Sequence, residues 1–203
     1  MRAVALLMLL PIVAACGREE TTPTVRLQVD AAPAITRPTE TDDAGLPVLS
    51  EQVEQKIDAI RAILERNSLT RLARLADSEP SFVSNFAGES NRVHWDLLRR
   101  TGFDPLAQLE RLLDGQYGVR EVGDEVWYIW PDLAALEPQE LVPERLSFTA
   151  RAKLLELVGD EGIERIRDGQ GYPGVRTAIA EDGRWLYFIH ESEDMATAED
   201  QNE

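Results

Sequence analysis

The stretch "AIAEDGRWLYFI" (residues 178–189) limits the fold more than any other part of this chain. Strand-type residues flank Asp182-Gly183, and Asp-Gly between alternating runs is the strongest short-range hairpin signal, because glycine supplies the positive φ that a two-residue turn needs. A second pair, "YGVREV" and "EVWYIW", flanks Gly123-Asp124 in the same manner. A chain with two such hairpins contains an antiparallel sheet.

The rest of the central region reads as helix. Ser50 is a natural N-cap, and Val53, Ile57, Ile60 and Leu64 then recur at helical spacing, marking one apolar face to about Asn67. Leu69, Leu72 and Leu75 form a shorter helix that stops before Pro80. "SFVSNFAG" is expected to be a strand that enters a glycine turn, and Asn91 is expected to cap "RVHWDLLRRTG", which Gly102 ends. Asp104-Pro105 restarts a helix carrying Leu106, Leu109, Leu112 and Leu113. Further short helices are expected across residues 132–136, 148–158 and 162–168. Helices first, with hairpins in the middle and at the end, predict an α+β domain: one antiparallel sheet of about four or five strands, partly covered by several short helices. A curved-sheet cone is a second arrangement consistent with this element order.

Charge and cysteine usage narrow the function. The 203 residues carry 21 Lys+Arg against 37 Asp+Glu, a formal net charge of -16. So negative a chain repels phosphate backbones and anionic lipid head groups, which argues against nucleic-acid binding and leaves any membrane association to something other than basic residues. The one cysteine, Cys16, excludes an internal disulfide and thiol catalysis in the core, and no Cys/His cluster offers a structural zinc site.

Cys16 ends an apolar run. Met1 and Arg2 form a short positive region, and residues 3–15 an apolar one. Thirteen helical residues rise only about 20 Å, short of the roughly 30 Å of a bilayer's hydrocarbon core, so the segment reads as a secretory signal. Its end, Val13-Ala14-Ala15-Cys16, resembles the lipobox of bacterial lipoproteins. That resemblance covers about the first seventeen residues. It implies cleavage between Ala15 and Cys16, diacylglycerol on the Cys16 thiol and an acyl chain such as palmitate on the new amino group. Gly17, standing where aspartate favours inner-membrane retention, implies an outer-membrane address facing the periplasm.

The expected organisation is therefore a signal peptide over 1–15, a lipidated cysteine and Thr/Pro/acidic tether over 16–48, a globular domain over 49–190 and an acidic tail over 191–203. Thirty tether residues span on the order of 30 Å.

Candidate chemistry is sparse. "GQGYPG" (residues 169–174) matches G-x-G-x-x-G, but helix precedes it and strand follows, the reverse of a phosphate-binding turn, and Pro173 removes an amide donor. It reads as a helix-to-strand connection, and no cofactor or metal is expected. His94 and His190 lie in different elements without metal spacing, and His94 is expected to be an ordinary packed or solvated histidine. The aromatic strand "VWYIWP" is the most distinctive feature: Val126, Tyr128 and Trp130 face one side, Trp127 and Ile129 the other. A strand covered on both faces takes all three rings into the core. A strand free on one face makes Trp127, Tyr128 and Trp130, with Trp95, a binding surface for a partner protein or a sugar. In the second hairpin Trp185 and Tyr187 are expected on one face and Phe188 on the other.

Two functions follow as expectations. The first is a lipid-anchored envelope protein without enzymatic activity, whose domain binds a partner protein or peptidoglycan. The alternative is a small envelope hydrolase cleaving peptidoglycan-type glycosides with a carboxylate pair, although composition selects no such pair.

Overall fold

The computed structural model describes residues 48–190; the expected signal peptide, the lipidated Cys16, the tether and the acidic tail lie outside them. Four helices lead the chain: α1 (Glu51–Leu64), α2 (Leu69–Ser78), α3 (Asn91–Arg100) and α4 (Pro105–Leu113). Each starts on a side-chain cap. Ser50, Ser68 and Ser90 accept the backbone N–H three residues on, and Asp104 accepts that of Leu106, filling donors that the first helical turn leaves open. The cap of α3 is Ser90, one residue before the expected Asn91, whose side chain instead accepts from the Ser84 hydroxyl and donates to Asp77 at 2.7 Å.

Strands β1 (Gly118–Val122) and β2 (Glu125–Trp130) form the first hairpin, β3 (Arg176–Ala180) and β4 (Trp185–Ile189) the second. The order is β1-β2-β3-β4, every neighbour antiparallel, in a sheet not closed into a barrel. The domain is thus α+β, as expected. "SFVSNFAG" makes no full strand. Only Val83 bridges Tyr187, donating to Leu186 O and accepting from Phe188 N, because the chain turns away at Asn85.

Between the hairpins, a 3-10 turn (Asp132–Ala135), α5 (Pro138–Leu141) and α6 (Phe148–Arg167) cross to the other side of the sheet. The two helices expected at 148–158 and 162–168 are both present; they run on within α6 but are separated at Gly159, whose φ of 67° is not helical and is one that only glycine takes readily.

Two apolar clusters therefore sandwich the sheet. Helices α1–α4 bury Val53, Ile60, Leu72 and Leu109 against Val126, Tyr128, Trp130 and Ile179. On the other face Leu133, Leu141, Leu154 and Ile166 pack against Ile129 and Ala178. The sheet is covered on both sides, more fully than the helix pattern alone suggested.

The second hairpin corrects the expected facing of its rings. Ile179 pairs with Trp185 but Ala178 with Tyr187, so a bulge leaves Leu186 over and shifts the alternation. Trp185 and Phe188 thus share the α1–α4 side, and Tyr187 packs on the other. Gly183 has a φ of 84°, and a Cβ there would stand 2.8 Å from Gln52 O. Glycine lets this turn lie directly on α1, where the Ser50 hydroxyl donates to Glu181 O at 2.6 Å.

Candidate functional site

The aromatic strand is not an open platform. Tyr128 is fully buried, and Trp95 and Trp130 are 1% and 2% exposed, so three of the four rings considered as a binding surface are core residues. The reason is the second layer: helices cover the face that holds Tyr128 and Trp130, and Trp95 enters the same cluster from α3. Trp127, on the opposite face, stays half-buried; its indole N–H donates to Glu125 at 3.0 Å and its ring meets Tyr187 edge-on at 6.3 Å.

The polar side chains around that face are mostly occupied by the fold itself. The Arg120 guanidinium donates to the carbonyls of Ala134, Ala135 and Leu136, closing the open end of the 3-10 turn. Lys153 donates to Asp132 at 2.8 Å and to Gln116 at 3.2 Å. Burial pushes the Tyr187 hydroxyl up, against the pull of Arg176 and Arg120, and keeps it protonated.

Carboxylates line shallow grooves among the described residues, and one of these, of about 230 Å³, holds Glu65 and Glu110 together with Asp114, which pairs with Arg61 at 3.1 Å. Another, of about 440 Å³ between α1 and Trp130, carries Glu54 and Asp58, one helical turn apart on a single wall. A third, of about 380 Å³, carries Asp132, which Lys153 holds, and Glu140. Glu125 lies below the usual carboxylate range through hydrogen bonds from Trp127 and Arg184, and Glu144 through one from Arg167. For Asp182 burial pushes the pKa up, but hydrogen bonds from Arg184 outweigh it. These three shifts are opposite to that of an acid held protonated for glycoside cleavage. Burial pushes His94 down from the ordinary 6.5, with Glu89 pulling partly back, so it is a neutral core imidazole, 4% exposed. No group of three potential metal ligands occurs among the described residues.

What the domain does present is apolar, and it lies on the outer sides of helices. Ser147 caps α6 by accepting from Ala150 N at 3.2 Å, and this places Phe148 in the first turn, 87% exposed. Ala152 and Leu155 follow at i+4 and i+7 in one stripe, both exposed, while Leu154 turns inward and is fully buried. The flanking cations are engaged elsewhere: Arg145 donates to Gln139 O at 2.8 Å and Arg151 to Pro143 O at 2.9 Å. On the other side of the sheet, Val93 and Leu97 are exposed on α3, and Phe86 stands exposed in the loop before it. None of these residues was singled out by the strand pattern, although a helical wheel of "FTARAKLLELV" separates Phe148, Ala152 and Leu155 from the inward residues.

Among the described residues no helix is long and apolar enough to cross a membrane. Comparison of the chain with protein-family models, with curated proteins and with solved structures finds no match.

Proposed function

We propose that this protein is a lipid-anchored module of the bacterial envelope that binds another protein through the exposed stripe of α6. The observation that carries the reading is Phe148: a phenyl ring 87% exposed at a capped, helix-fixed position, continued by Ala152 and Leu155. A helix face with anchors at i, i+4 and i+7 matches the spacing by which helices seat in apolar grooves. Arg145, Arg151 and Lys153 near this stripe bond the fold itself, which leaves its character chiefly apolar.

The anchor supplies the address. Cys16, after Val13-Ala14-Ala15, is the point of attachment, and the residues beyond it are long enough to hold the domain clear of the head groups. Each buried acyl methylene contributes about 0.8 kcal/mol, so several chains hold the protein at the membrane. The mass of the N-terminal peptide from the membrane fraction tests this: it should begin at Cys16 and carry acyl groups, and Cys16→Ser should abolish both. A wild-type N-terminus free of acyl groups would sink the anchored reading.

A further inference from the structure

The outer face of α3 carries a second exposed apolar surface, and its surroundings are charged unlike the rest of the domain. Residues 66–100 hold six arginines against four acids, whereas the remainder of the described chain holds eleven basic residues against 21 acids. Of the six, Arg92 pairs with Asp96 at 3.0 Å. Arg66, Arg71, Arg74, Arg99 and Arg100 are exposed and form no ion pair among the described residues. The net charge of -16 therefore conceals a segment, α2 and α3 with the residues around them, in which basic residues outnumber acids.

Apolar residues stand on that segment. Val93 and Leu97, one turn apart on α3, are 56% and 49% exposed, and Arg100 follows at the next turn. Phe86, 61% exposed, is held out by the fold: the Asn85 side chain donates to Glu89 O at 3.0 Å and accepts Glu89 N–H at 3.1 Å. This clasp closes the loop around Gly88, whose φ is 75°. Four residues earlier Phe82 packs against Trp95 and Trp185, so the same segment sends one phenyl ring to the core and presents the other.

We propose that the α3 face, with Phe86, Val93 and Leu97 flanked by Arg99 and Arg100, docks on an anionic phospholipid surface. Arginines meet phosphate head groups while the apolar side chains enter the interfacial layer, the division of labour of a membrane-surface helix. Hydrocarbon accepts apolar groups spread over a loop apex and a helix side without a matched pocket. Nucleic acid offers no comparable partner for Val93 and Leu97. On the anchored reading proposed above, attachment at Cys16 holds the domain near the bilayer at an effective concentration on the order of millimolar, so weak intrinsic docking is enough to orient it. Because α3 and α6 cover opposite faces of the sheet, a domain docked through α3 turns Phe148 away from the bilayer.

Docking does not depend on acylation, and its test is made without it. The full chain with Cys16→Ser receives one environment-sensitive dye, at Thr101→Cys beside the α3 face or at Ala152→Cys on α6. Each is mixed with vesicles of phosphatidylcholine with or without phosphatidylglycerol, bearing a lipid-borne quencher. On anionic vesicles the dye at position 101 should be quenched at least about threefold more than that at 152, and the difference should disappear with raised salt, on neutral vesicles and in Arg99→Glu/Arg100→Glu. Phe86→Ser, altering only the loop apex, should weaken it as well. Equal quenching at both positions, none at either, or quenching at 101 that ignores lipid charge would overturn the proposal; the second result would leave this face to a protein partner.

Discussion

Trp185→Ala is expected to lower stability by about 3–5 kcal/mol, the range for removing a buried aromatic ring from a packed core. Trp185 is fully buried, with its ring centre 4.5 Å from that of Phe82 and 6.4 Å from that of Trp95. It also carries a polar link. The indole N–H donates to Thr177 Oγ1 at 2.8 Å, and the Thr177 hydroxyl donates onward to Tyr187 O at 2.7 Å. The alanine variant loses the ring contacts, opens a cavity and strips the threonine oxygen of its donor. Its melting midpoint should fall by about 10–20 °C for a domain of this size. Trp185→Phe keeps much of the volume but not the donor, and should cost about half as much. Urea unfolding measures both, with an unchanged denaturant slope expected if only the native state is affected. A loss below about 1 kcal/mol in the alanine variant would mean that this ring is not in the core.

Glu79→Ala is expected to cost about 2 kcal/mol, between the range for an exposed ion pair and that for a fully buried one, because this pair is partly buried. Glu79 pairs with Lys56, and their side chains are only 8% and 19% exposed. Its other oxygen accepts the backbone N–H of Trp185 at 3.3 Å. Removing the carboxylate leaves an ammonium in a poorly solvated place and an amide without its acceptor. The ammonium carries the larger share, because an uncompensated charge costs more than a lost neutral hydrogen bond. Pairing Lys56→Met with Glu79→Gln removes both charges and keeps an oxygen for the Trp185 amide, so that double variant should regain most of the loss. If it is as unstable as Glu79→Ala alone, the charge on Lys56 is not the cause. Since Glu79 and Trp185 are in direct contact, combined changes at the two should be non-additive.

The chain's own pattern discloses much of this architecture, for reasons visible residue by residue. Val53, Ile57, Ile60 and Leu64 all turn inward because one helix face meets one core, the case in which periodicity reports burial directly. Gly123 and Gly183 sit at positive φ in the two hairpin turns, as turn chemistry requires. The reversed facing of Tyr187 could not be read, since the bulge at Leu186 belongs to strand pairing and not to the order of residues in β4. The burial of Tyr128 and Trp130 is one of the two readings open for the aromatic strand, and it is the one the structure shows; alternation tells which side a ring takes, while the helices of the α1–α4 layer decide that it is covered. The exposed surfaces escaped for a different reason. Phe148 and Phe86 are the kind of residue that cores absorb, and only the cap at Ser147 and the clasp at Asn85 hold them out.

On the function proposed above, this domain works through the outer face of α6 and not through its aromatic strand. Photo-cross-linking in intact cells, with a photoreactive residue placed in turn at Phe148, Leu155, Trp127 and Asp182 of the full chain, tests it most directly. Positions 148 and 155 should capture one and the same protein, 127 and 182 should not, and Ala152→Asp on the same stripe should remove the capture while the melting midpoint stays unchanged. Capture from position 127 alone, capture of a second copy of this chain, or capture that survives Ala152→Asp would contradict it.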